Sequence, residues 1–190
     1  MLFAVISGFI LAALVPWFHH RLGPRAGWLY ALLPAALTLY FASFLPQIAA
    51  GETAHFHSTW VPGLDLDLSF YVDGLALLFA LLISGIGTFI LIYASDYLAG
   101  DDRQPRFYAL ILAFMAAMLG VVLADNLIAL FIFWELTSIT SYLLIGYDHA
   151  TAFARRAALQ GLVVTVGGGL AMLAGFLLLG TVGGSYTITE

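Results

Sequence analysis

Glu135 is the residue whose surroundings call for chemistry. It sits in Phe131-Ile132-Phe133-Trp134-Glu135-Leu136-Thr137-Ser138, the middle of a long apolar run. An ionised carboxylate at the centre of a bilayer costs at least ~2.5 kcal/mol on insertion scales. Such a group must face a protein interior or a water-filled cavity, and must find a cation or hold its proton. A carboxyl that takes and releases a proton near neutral pH is what a proton relay requires. Ser138 and Tyr142, at i+3 and i+7, share the helical stripe of Glu135, and Thr137, Thr140 and Ser141 bring hydroxyls to the adjoining faces. Those hydroxyls can bond to the carboxyl, hold waters, or bond back to helix carbonyls. A protonated Glu135 serving only as helix–helix glue is the plainer reading. Intramembrane hydrogen bonds of that kind average about 0.6 kcal/mol, well below the insertion cost. The expected assignment is therefore Glu135 as proton relay, with Ser138, Tyr142 and Thr137 in support.

Other polar residues read more plainly. Glu52, His55, His57, Asp65 and Asp67 share one loop. His55 and His57 are two apart, without helical i, i+4 spacing, and nothing fixes the aspartates beside them, so a polar surface loop is expected and no metal site. Asp73 is placed to cap the helix that follows it. Asp96 ends that helix in water, and Asp101-Asp102-Arg103 reads as a solvated turn. Trp17 and Trp60 fall where interfacial aromatics sit. The last apolar run carries Gly161, Gly167, Gly168, Gly169 and Gly175. Close helix packing explains such residues; a flexible break lining an ion path is the sharper alternative, since each glycine weakens a helix by about 1 kcal/mol relative to alanine. The chain has no cysteine, which excludes disulfides and thiolate metal sites, and no haem motif is present. No cofactor is expected.

The elements that must position Glu135 follow from composition. Of 190 residues, 63% are hydrophobic and 9% charged, against about 25% charged in soluble domains. At this length a water-soluble fold could not hide so much apolar surface. A membrane helix needs about 20 apolar residues, and six segments qualify, near 1–18, 27–49, 72–95, 107–124, 126–146 and 158–182. Asp125 and Asn126 turn the fourth into the fifth. Counting from Asn126 at ~1.5 Å per residue places Glu135 roughly 13 Å deep, near the middle of a hydrocarbon core about 30 Å thick. The runs are continuous and rich in Leu and Ala rather than alternating, which excludes a β-barrel. No basic residue precedes the first run, so it reads as a permanent helix rather than a cleaved signal. The expected fold is an all-α integral membrane protein of six transmembrane helices, one domain over 1–190.

Charge placement agrees. Arg21 and Arg25, Arg103 and Arg106, and Arg155 and Arg156 occupy the first, third and fifth connections; lysine is absent from the chain. The other connections and both ends carry no Lys or Arg. All six arginines fall on one side, which the positive-inside rule assigns to the cytoplasm, with both ends of the chain outside.

Several pieces together carry a family resemblance: Leu123-Ala124-Asp125-Asn126-Leu127, Trp134-Glu135, and Ser141-Tyr142-Leu143-Leu144-Ile145-Gly146, with Val72-Asp73-Gly74-Leu75 and Tyr93-Ala94-Ser95 upstream. In this order they resemble the proton-translocating module shared by the large membrane subunits of respiratory complex I and the Mrp-type Na⁺/H⁺ antiporters. Ala154-Arg155-Arg156-Ala157-Ala158-Leu159-Gln160 and Thr165-Val166-Gly167-Gly168-Gly169-Leu170 resemble the A-type subunit of the Mrp antiporters. The resemblance implies membership of a multisubunit monovalent cation/proton antiporter in the cell (inner) membrane. Its ions would be protons and Na⁺ or K⁺, its partners the other antiporter subunits and the lipid bilayer, with no nucleic acid. A proton-pumping subunit of complex I is the alternative, and a structural membrane subunit without an ion path the second. The resemblance also implies that Glu135 matches the family's intramembrane glutamate, which works with a lysine on a later, broken helix. This sequence has no lysine, so the expectation is an N-terminal part of a larger antiporter-like bundle.

Overall fold

The computed structural model describes residues 1–23, 25–61 and 66–189. Each apolar run forms a helix, because in lipid every backbone polar group must be satisfied within its own segment. In chain order these are α1 (Leu2–Leu22), α2 (Ala26–Ala42) and the short α3 (Leu45–Ala49), followed by β1 (Ala54–Phe56), β2 (Thr59–Val61), β3 (Leu66–Asp67) and β4 (Phe70–Val72). Then come α4 (Gly74–Tyr97), α5 (Gln104–Leu123), α6 (Leu127–Ile145) and α7 (Ala152–Gly183). Among the described residues six stretches are long and apolar enough to cross a membrane, with α2 and α3 sharing one of them, Ala26–Ala49. The chain is a multi-pass helical membrane protein. Pro46 stands at the start of α3, where its missing N–H costs nothing.

Small residues set the packing. A Cβ at Gly8 of α1 would lie 2.8 Å from the Cβ of Ala116 on α5, and one at Gly27 of α2 would lie 2.6 Å from the carbonyl oxygen of Leu91 on α4. The ring of Phe133 on α6 occupies the space a side chain at Gly120 of α5 would need. These contacts bring backbones together where lipid offers no hydrophobic drive for helices to associate. Helices α1, α2, α4 and α5 surround the buried core, with Tyr108, Leu112 and Leu119 of α5 fully covered. Helix α6 packs on α5, and α7 packs on α6. Most of α7 stays uncovered, with Val163 64%, Leu170 60% and Val182 87% exposed.

The loop before α4 is more ordered than a plain polar loop. β1 and β4 pair antiparallel, Ala54 opposite Val72 and Phe56 opposite Phe70, and β2 pairs with β3. Phe70 is buried and bridges to Ala124, so this segment closes over the arginine-free end of the bundle. Asp65 lies outside the described residues, as do the side chains of Trp60 and Asp67. Asp73 caps α4 as expected, its Oδ1 accepting from the Ala76 N–H at 2.7 Å.

One element departs from the expected boundaries in a way that matters. α1 continues to Leu22, and His19, just past the expected end at 18, is buried inside it. Arg21 in that last turn meets the negative end of the helix dipole. His19 is thus a buried polar side chain inside the first span.

Candidate functional site

Helix α6 is started sharply. Asn126 accepts at Oδ1 from the N–H groups of Ile128 (2.9 Å) and Ala129 (3.1 Å), satisfying donors that would otherwise be orphaned. The cap fixes the register, so Phe133 faces α5 and Glu135 faces α7. The carboxyl of Glu135 rests on Gly169, where a Cβ would lie 3.1 Å from Cδ and collide with Oε1. Oε1 is shielded from solvent and has no hydrogen-bond partner among the described residues.

Of the hydroxyls assigned to support, those of Thr137 and Ser138 take the last of the three roles open to them, as does that of Thr140 on the adjoining face. Thr137 donates to the Trp134 carbonyl at 2.7 Å, Ser138 to the same carbonyl at 3.3 Å, and Thr140 to the Leu136 carbonyl at 2.7 Å. Their protons serve the helix backbone; their lone pairs remain. Tyr142 lies two turns nearer the arginine-bearing end and lines a cavity of about 120 Å³ with Arg106, His149 and Arg155. The structure thus brings Glu135 together with Gly169, and places Ser138, Thr137 and Tyr142 along the same helix without a hydrogen bond to its carboxyl.

Two polar clusters escaped the sequence reading. At the arginine-bearing end, His19, Tyr30 and Tyr108 stack within 5.2–6.2 Å of one another. Gln104 donates to the Tyr108 hydroxyl at 3.2 Å, while His19 Nδ1 and the Tyr30 hydroxyl are buried without a partner among the described residues. At the opposite end a polar cavity of about 530 Å³ is lined by His55, His57, Asp125, Asn126, Thr187 and Thr189 among others. His55 and His57 do line a common cavity, yet among the described residues no three acidic, histidine or cysteine groups are arranged to hold a metal ion. The signal for each cluster was long-range: polar residues on segments far apart in the chain, invisible to local spacing.

Asp101-Asp102-Arg103 forms the expected turn, and its Arg103 also reaches beyond it. Arg103 donates to Asp101 through Nε at 3.1 Å and to Asp148 through Nη1 at 3.1 Å, and lies over the Tyr147 ring at 4.9 Å. It ties the α4–α5 connection to the α6–α7 connection. The hydrogen bonds from Arg103 hold the Asp101 carboxyl below the usual aspartate range, and burial pushes the Tyr147 hydroxyl up. Arg106 meets His149 at 3.3 Å across the same face.

A bundle of helices long and apolar enough to cross a membrane, with the Glu135 carboxyl against Gly169 of the next helix, defines the class: a polytopic helical membrane protein. Comparison with known proteins narrows it. Residues 59–108 match the complex I chain 5 N-terminus family and residues 124–190 the NADH:quinone oxidoreductase/Mrp antiporter transmembrane family. The chain is 43% identical over 187 residues to the A-type subunit of a Na⁺/H⁺ antiporter of Alkalihalophilus pseudofirmus, covering 97% of this chain and 23% of that protein. It is 47% identical over 161 residues to the A/B-type subunit of a probable K⁺/H⁺ antiporter of Rhizobium meliloti, covering 85% and 16%. A chain in the structure of the Mrp complex from Dietzia sp. superposes with TM-score 0.88 at 33% identity, over 98% of this chain and 20% of that one. An archaeal membrane-bound sulfane sulfur reductase shares the fold, with TM-score 0.78 at 21% identity over 98% of this chain and 28% of that one. The chain belongs to the family of membrane subunits common to complex I and the Mrp antiporters, and the relatives named above are A-type or A/B-type antiporter subunits. It spans about a quarter or less of the length of these relatives.

Proposed function

We propose that this chain forms part of one subunit of a multisubunit monovalent cation/proton antiporter, and that Glu135 carries protons through it. The carrying observation is the Glu135 carboxyl: mid-helix, shielded at Oε1 and without a partner there. An acid held this way gains little for the fold, because a satisfied hydrogen bond would be needed to offset its desolvation. A partner or a passing proton from outside the described helices gives it a role. Sodium is the proposed exchanged cation, supported by the Na⁺/H⁺ antiporter relative, with potassium as the competing ion. The arginine-bearing face is assigned to the cytoplasmic side of the cell (inner) membrane by the positive-inside rule. Complex I membership is the second reading, favoured by the match of residues 59–108 to its chain 5 family.

Glu135→Gln in the full complex tests the relay. The amide keeps the shape and cannot ionise. Cation-driven proton exchange in everted vesicles is expected to fall to background while the complex assembles normally. Exchange at the unaltered rate removes the relay role.

A further inference from the structure

We infer that Gly169 is a positioning residue for Glu135: the missing side chain at this one turn of α7 is what lets the carboxyl occupy its place. The inference rests on the relay role proposed above. Between 161 and 175, α7 carries five glycines, and they are not equivalent. A Cβ at Gly167, Gly168 or Gly175 would meet nothing within 4 Å, and one at Gly161 would make only ordinary contact with Ile145 at 3.7 Å. At Gly169 the three nearest atoms are all carboxyl atoms of Glu135, with Cδ at 3.1 Å and Oε2 at 3.8 Å. The seat is thus specific to the head of one side chain, not to the helix–helix spacing.

This distinction has a physical consequence. Where a glycine admits a neighbouring backbone, an added methyl pushes helices apart. Here the obstructing atoms end a flexible side chain, so α6 and α7 can keep their spacing while Glu135 moves to another staggered rotamer. The carboxyl would then leave the shielded place in which Oε1 now has no partner among the described residues. A proton carrier works by geometry, and a misplacement of about 1 Å can cost about a hundredfold in rate. α7 runs unbroken from Ala152 to Gly183, through all five glycines.

The test compares variants of the full complex, reading assembly, exchange rate and the pH profile of exchange. Gly169→Ala is expected to assemble normally, to lose about a hundredfold in exchange, and to shift the pH profile. Gly168→Ala is expected to leave all three unchanged. Glu135→Asp, one methylene shorter, makes room for the methyl, so the losses of Gly169→Ala and Glu135→Asp should not multiply in the double variant. A Gly169→Ala complex with unaltered rate and pH profile overturns the inference, as do losses that simply multiply. If Gly169→Ala fails to assemble, Gly169→Ala with Glu135→Ala decides: restored assembly identifies the carboxyl as the obstruction, and continued failure overturns the seat. Glu135→Gln separates the two ideas. Full exchange by that variant removes the relay; loss of exchange there with an unaffected Gly169→Ala removes the seat alone.

Discussion

Asp125 is buried and Glu135 half-buried with its Oε1 shielded, and the protein treats the two acids in opposite ways. Asp125 is 4% exposed, and its carboxylate accepts from the Thr189 N–H at 3.1 Å and the Thr189 hydroxyl at 2.9 Å. Its own N–H donates to the Ser69 carbonyl, and its carbonyl accepts from Ile188. A carboxylate supplied with donors stays a structural anchor. Glu135 has no such supply at Oε1, which is the condition that makes it a candidate carrier. Thr189→Val tests the anchor: removing one donor to a buried carboxylate should cost about 1–3 kcal/mol, read as earlier thermal unfolding in detergent. Proton exchange through Glu135 should respond far less than it does to Glu135→Gln.

At the scale of the element, α6 is the piece on which the site depends. Its starting point is set by Asn126, its inner face by Phe133 against Gly120, and its outer face by Glu135 against Gly169. Each of these fixes rotation or register, so an error at the cap propagates to the carboxyl. Asn126→Ala should destabilise the protein by about 1 kcal/mol, in the range of lost N-caps. Faster hydrogen exchange in the first turn of α6, from Ile128 and Ala129, would confirm it; unchanged exchange there would show that the cap is not what starts the helix. α7 shows how misleading a glycine count is. One glycine seats Glu135, Gly180 accommodates the ring of Tyr186, and Gly167, Gly168 and Gly175 face open space.

At the scale of the whole molecule, the two ends are closed by different chemistry. The arginine-free end is closed by backbone pairing: Phe70 with Ala124, Asn126 with Thr187. The arginine-bearing end is closed by charge, through Arg103 between Asp101 and Asp148. Asp101 has its carboxyl lowered by Arg103. The sign follows: a carboxylate lowered on folding contributes stability above its unfolded value, about 3.9, and loses it as pH falls through the lower folded value. The two loops are therefore expected to be protected from hydrogen exchange at neutral pH and to lose that protection on acidification below about pH 4. Asp101→Asn should remove this pH dependence; protection that falls equally in the variant would show that the clamp is not its source.

Span number and type were legible from residue order, because a hydrocarbon solvent forces each apolar run to satisfy its backbone as one helix. The cap at Asp73 was legible too, since a cap acts on donors two or three residues away; Asn126 was legible only as a turn former, and its bonds to Ile128 and Ala129 came with the structure. Which residue meets Glu135 was not. Gly169 lies 34 positions further along, and five glycines of similar appearance compete for the role. The burial of His19, the pairing of β1 with β4 and the grip of Thr189 on Asp125 were equally closed to local reading. Periodicity reports which way a side chain faces along its own helix; which neighbour it faces is decided when helices pack, and that depends on contacts between residues far apart in the chain.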